Sequence, residues 1–161
     1  VADAPTLNED FADMLQALSD SKVEFLIVGA HAMAAHGLPR ATGDIDILVR
    51  PERGNAGRVI AALRTFGAPI DDHGVTQLDF EQAGTVYQIG LPPRRIDLLT
   101  EITGVTFDEA WDSRIEAQLA GRRVAVLGRA ALLRNKLATG RDKDLVDARW
   151  LERSVDGDPS E

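Results

Sequence analysis

The segment Asp44-Ile-Asp-Ile-Leu-Val49 constrains the chain more than any other. Its acidic and apolar residues alternate, which is the period of a β-strand with one face in the core. Residues at i and i+2 of a strand project to the same face, so the Asp44 and Asp46 carboxylates point together while Ile45 and Ile47 point away. Aspartate is a poor strand former, and two like charges so close repel unless one is protonated or a cation lies between them. A solvated strand face would also place Asp outward. A divalent cation with oxygen ligands would remove the repulsion.

The elements around this strand read as follows. Thr6-Leu-Asn-Glu9 has the pattern of a capping box, and Leu7, Phe11, Met14, Leu15 and Leu18 recur at helical spacing to about Ser19. Phe25-Leu-Ile-Val28 is a short buried strand that runs through Gly29 into a small helix, Ala30 to His36, stopped by Gly37. After the Asp44–Val49 strand, Asn55 to Phe66 is expected to be helical. Val75 to Phe80 and Thr85 to Ile89 are expected to form a strand pair joined by a turn at 81–84. Arg95 to Leu99 is another strand, and Thr106-Phe-Asp-Glu109 caps a short helix through Trp111. Ile115 to Leu119 and Arg123 to Leu127 flank the turn Ala120-Gly121 as a hairpin. Two helices close the pattern, Ala130 to Thr139 and Asp144 to Arg153. This order predicts a mixed α/β (α+β) fold in one domain over 1–153, with a mixed sheet flanked by helices and a polar tail at 154–161.

Composition narrows the chemistry. The chain has no cysteine, which excludes disulfides, thiolate zinc sites and a cysteine nucleophile. A net charge of -8 excludes a broad electropositive surface for nucleic acid, leaving only local basic clusters. No segment is apolar for long enough to span a bilayer, and VADAPTLNED is too acidic for a signal peptide. A cytoplasmic protein without membrane contact is the expectation.

Further features bear on function. Asp97 alternates with Ile96 and Leu98. It becomes a third converging carboxylate if its strand neighbours that of Asp44, and is otherwise an exposed strand position paired with Arg94 or Arg95. Gly29, between a buried strand and a helix, offers backbone N–H groups to an anion, or else makes an ordinary tight turn. Arg40 and Thr42 precede the paired aspartates, where they suit either phosphate contact or a solvated loop. Lys136, Arg141 and Lys143 form a local basic cluster that reads either as triphosphate or acceptor contacts or as helix-end and surface charges. Asp144 and Asp147 read as capping and solvated residues of the last helix. His31 and His36, five apart, do not share a helix face and do not match a zinc spacing.

Taken together, Phe25-Leu-Ile-Val-Gly-Ala-His31, Arg40-Ala-Thr-Gly-Asp-Ile-Asp46 and Arg95-Ile-Asp97 resemble the nucleotidyltransferase superfamily. Leu133-Arg-Asn-Lys136 and Gly140-Arg-Asp-Lys-Asp-Leu-Val-Asp147 resemble its single-domain bacterial group, related to the abortive-infection toxin nucleotidyltransferases. The resemblance implies that Asp44 and Asp46 bind Mg²⁺ (or Mn²⁺), and that Asp97 shares an ion and helps activate an acceptor hydroxyl. It implies that Gly29 and the N–H of Ala30 hold a nucleoside triphosphate; Arg40, Thr42, Lys136 and Lys143 are candidate nucleotide contacts by their own chemistry. Ala30 stands where the family has Gly or Ser, so a hydroxyl contact is lost and the backbone N–H remains. The implied reaction moves a nucleoside monophosphate to an acceptor, an RNA end or protein hydroxyl being slightly favoured, with release of pyrophosphate. The alternative is a non-catalytic nucleotide- or partner-binding module of toxin–antitoxin type.

Overall fold

A computed structural model describes residues 8–156. Helix α1 (Glu9–Asp20) is capped by Asn8, whose side chain accepts the Phe11 N–H at 3.0 Å. The expected capping box begins at Thr6, outside the described residues. Phe11, Met14, Leu15 and Leu18 form the buried stripe of α1.

Strand β1 (Phe25–Val28) passes directly into α2 (Gly29–Ala35), and strand β2 (Asp44–Val49) follows. Helix α3 (Arg53–Phe66) starts two residues earlier than the sequence suggests, because the Glu52 side chain caps it by accepting the Asn55 N–H. It packs against α1.

The segment 75–80 corrects the expectation of a strand. Gln77–Glu81 is a 3₁₀ turn, with the Thr76 N–H donated to Asp79 Oδ2 at 2.8 Å and Phe80 fully buried. The local side-chain bond and the packing of this turn on α3 outweigh the alternation seen in sequence. Strand β3 (Val86–Ile89) therefore pairs with β4 (Arg95–Leu99), antiparallel, and not with the segment before it.

Helix α4 (Phe107–Asp112) is opened by the Thr106/Glu109 capping box. Strands β5 (Ile115–Leu119) and β6 (Arg122–Val126) form the expected hairpin. Helix α5 (Arg129–Thr139) ends at Gly140, which takes a left-handed conformation. Helix α6 (Asp142–Asp156) is longer at both ends than the 144–153 read from the sequence, so it runs into the segment expected to be a tail. Helices α5 and α6 pack on each other.

Among the described residues, six strands form one mixed sheet in the order β3-β4-β2-β1-β6-β5. Strand β1 is antiparallel to β2 and parallel to β6, and β2 is parallel to β4. The centre of the sheet is apolar: Leu26, Ile27, Ile45, Ile47 and Leu98 are all fully buried. Among the described residues no helix is long and apolar enough to cross a membrane.

Candidate active site

Strand pairing brings the acidic residues together. In the parallel ladder of β2 and β4, Asp44 stands opposite Arg95 and Asp46 opposite Asp97. Alternation then puts Asp44, Asp46 and Asp97 on one face, with one carboxylate oxygen of each within 4.8 Å of the others. Asp97 is not an exposed strand position: its side chain retains 8% of its exposure. Its counter-charge is Arg95, whose Nε lies 3.1 Å from Asp97 Oδ1 and whose Nη2 donates to Asp44 Oδ2 at 2.5 Å. Arg94 turns elsewhere, to Asp10 at 3.3 Å.

The cluster is electrostatically uneasy. Burial, then the charges of Asp44 and Asp97, push the Asp46 carboxyl up to about 7. Asp97 Oδ1 and Arg95 Nε are buried without a hydrogen-bond partner. Hard oxygen donors, mutual repulsion and a buried carboxylate oxygen that makes no hydrogen bond together fit a divalent cation.

Gly29 sits against this cluster for a steric reason. In the antiparallel pairing of β1 with β2, Val28 is the partner of Asp46, so the chain turns into α2 directly beside that carboxylate. Gly29 has φ +70, and a Cβ there would collide with the Asp46 side chain. Thr42 is not turned to open solvent: its hydroxyl donates to Asp44 Oδ1 at 2.9 Å and orients that carboxylate.

The carboxylates open into a cleft of about 510 Å³. Gly29, Ala30, Arg40 and Thr42 line it on the sheet side, and Asn135, Lys136, Thr139, Arg141 and Lys143 on the side of α5 and α6. Every residue singled out from the sequence as a site candidate thus lies on one cavity.

Three of the basic ones are already engaged with aspartates. Lys136 Nζ lies 3.1 Å from Asp144 Oδ1 and 3.2 Å from Asp147 Oδ2, and Arg40 pairs with Asp147. Asp144 and Asp147 are 1% and 2% exposed, so the reading of them as solvated helix residues is wrong. Asp144 also accepts from Thr139 at 2.6 Å and Arg141 at 2.8 Å. Although burial opposes it, hydrogen bonds from Thr139, Lys136 and Arg141 hold the Asp144 carboxyl down at about 2. Arg95, Asp144 and Asp147 line the same cleft and are not among the candidates drawn from the sequence. The available signal for Arg95 was its i−2 spacing from Asp97 on one strand. The aspartates of α6 gave none, because burial there depends on docking against α5.

His31 packs edge-on against Phe11, with ring centroids 5.9 Å apart, and burial lowers its imidazole. His36 Nε2 lies 2.8 Å from the Leu127 carbonyl oxygen. Both serve packing.

No protein-family model matches the chain, and no curated protein matches it by sequence. Solved structures do match. ANT(2'')-Ia in complex with adenylyl-2''-tobramycin is 17% identical at a TM-score of 0.58, over 90% of this chain and 87% of that one. TM1012 of Thermotoga maritima, a candidate nucleotidyltransferase, is 16% identical at 0.53, over 92% and 98%. The lincomycin-bound lincosamide antibiotic adenylyltransferase LnuA is 16% identical at 0.52, over 91% and 97%. The chain has a nucleotidyltransferase fold.

Proposed function

We propose that this protein is a nucleotidyltransferase that moves a nucleoside monophosphate from a nucleoside triphosphate to an acceptor hydroxyl. The observation that carries the reading is the convergence of Asp44, Asp46 and Asp97 within 4.8 Å on one face, inside a cleft whose far wall carries Lys143 beside the ion-paired Lys136 and Arg141.

Asp44, Asp46 and Asp97 would hold Mg²⁺ (or Mn²⁺), which supplies positive charge for the phosphate oxygens and lowers the pKa of a coordinated hydroxyl. Gly29 and Ala30 line the cleft on one side and the exposed Lys143 on the other, so a triphosphate would be bound between β1 and α6. The acceptor oxygen forms a bond to the α-phosphorus, the α–β bridging bond breaks, and pyrophosphate leaves. Asp97, buried at the centre of the sheet face, receives the acceptor proton.

The acceptor reading shifts from the one drawn from sequence. A nucleic-acid end requires the basic residues of 122–143 to share the carboxylate face. They scatter: Arg122 bonds Gln16, Arg123 pairs with Glu116 and Arg134 with Glu109. From that set, Lys136, Arg141 and Lys143 line the cleft, and Lys136 and Arg141 are paired with aspartates. A small hydroxylated molecule suits this cavity better than RNA, and the antibiotic ligands of ANT(2'')-Ia and LnuA support that choice.

The test is incubation with each α-labelled triphosphate and Mg²⁺ or Mn²⁺, against total RNA, a protein extract and a dialysable fraction in parallel. Label in a dialysable product is expected. Label in RNA or protein restores the macromolecular acceptor, and no transfer to any pool favours the non-catalytic binding module.

A further inference from the structure

Arg95 stands inside the carboxylate cluster. Its Nη2 donates to Asp44 Oδ2 at 2.5 Å and to Asp97 Oδ2 at 3.3 Å. Its Nε is 3.1 Å from Asp97 Oδ1, yet both atoms are buried without a hydrogen bond. The guanidinium is therefore held there by charge and by the two Nη2 hydrogen bonds, while Nε and Asp97 Oδ1 face each other without one.

The oxygens it touches belong to two of the three residues that could hold a divalent ion. A hard dication binds carboxylate oxygens directly at about 2.0–2.1 Å for Mg²⁺. Two cations on the same oxygens repel strongly in a partly buried site. Arginine cannot relieve this by losing its proton, so only movement of the side chain can. Its side chain is 31% exposed, which leaves room to move, and it lines the same cleft as Arg40 and Lys143.

We propose that Arg95 is a resident counter-cation, which the metal must displace, so that the ion enters together with the nucleotide and not before it. The inference rests on the metal-site reading above. In the nucleotide-free protein Arg95 draws Asp44 and Asp97 together against their repulsion. A triphosphate provides the anionic surface onto which the displaced guanidinium moves, and its planar fork suits phosphate oxygens. Arg95 is a positioning residue that makes metal and nucleotide binding mutually dependent.

The experiment is Mn²⁺ binding by electron paramagnetic resonance, with and without the α,β-methylene analogues of ATP and GTP. Wild type is expected to bind Mn²⁺ weakly alone and at least ten-fold more tightly with the analogue it accepts. By reciprocity the analogue gains the same factor from Mn²⁺. Arg95→Gln, which removes the charge, is expected to bind Mn²⁺ alone at least ten-fold more tightly than wild type and to lose most of the coupling. Arg95→Lys keeps the charge and is expected to stay near wild type on both counts. If Arg95→Gln does not fold, Arg95→Met is measured in its place with the same expectation. Unchanged or weaker Mn²⁺ binding in the charge-removing variant, with coupling intact, overturns the role of Arg95 while the metal site stands. Absence of Mn²⁺ binding in every protein, with or without analogue, overturns the metal site and the inference together.

Discussion

Asp46 and Asp97 are direct partners in the parallel pairing of β2 with β4, and the Asp46 carboxyl is pushed up to about 7 by burial and by its two acidic neighbours. This one pairing joins a local motif to a residue far along the chain, and it sets the charge problem that the rest of the cleft is built around.

A stability profile against pH follows from it. Unfolded Asp46 loses its proton near 3.8, whereas the folded residue holds it to about 7. Between these values the folded chain binds more protons, so stability falls as pH rises through the window. Asp144, lowered to about 2, acts in the opposite sense below 3.8, where stability is lost as pH falls. Thermal unfolding from pH 4 to 8 without divalent ions should show the decline, and Asp46→Asn should flatten it. A profile equally steep in the variant would place the effect elsewhere.

Replacing Asp44 and Asp46 together by Asn should abolish metal-dependent triphosphate binding, because a neutral amide is a poor ligand for a hard dication. Folding should survive, with stability equal to wild type or higher near pH 8. Calorimetric titration with nucleotide and Mg²⁺ checks it, and unchanged affinity would reject the metal site.

Gly29→Ala should destabilise the protein by roughly 1–3 kcal/mol, from the positive φ and from the collision with Asp46. Part of the loss should vanish when Asp46 is also changed to Gly, since only the collision is relieved. Denaturant titration of the cycle measures this coupling. Simple additivity would show that the backbone conformation alone matters.

The two lysines should separate. Lys136→Ala removes a counter-charge shared by two buried carboxylates, which keep Arg40 and Arg141, and should cost about 3 kcal/mol of stability. Lys143 is exposed on the cleft wall, so Lys143→Ala should leave stability nearly unchanged while weakening triphosphate binding by roughly 1.5–3 kcal/mol. Equal melting temperatures for both variants would contradict the buried network around Asp144 and Asp147.

Much of this architecture was legible without coordinates because it depends on neighbours in sequence. The period of two in Asp44–Val49 is enough to place both aspartates on one face, and Thr106 with Glu109 is enough to open α4. Segment 75–80 shows the limit of the same logic, for the Thr76 N–H donated to the Asp79 carboxylate and the burial of Phe80 make a 3₁₀ turn of an alternating stretch.

What tertiary structure alone decided is which distant groups meet. The register of β2 with β4 sets Asp97 beside Asp46, and the insertion of Arg95 between Asp44 and Asp97 follows from it. The docking of α5 on α6 buries Asp144 and Asp147 against Lys136, where the sequence showed only polar helix residues. Periodicity reports the face a residue occupies within its own element. The free energy that selects one strand register or one helix docking comes from apolar area and charge contributed by segments far apart in the chain, and no local pattern carries it.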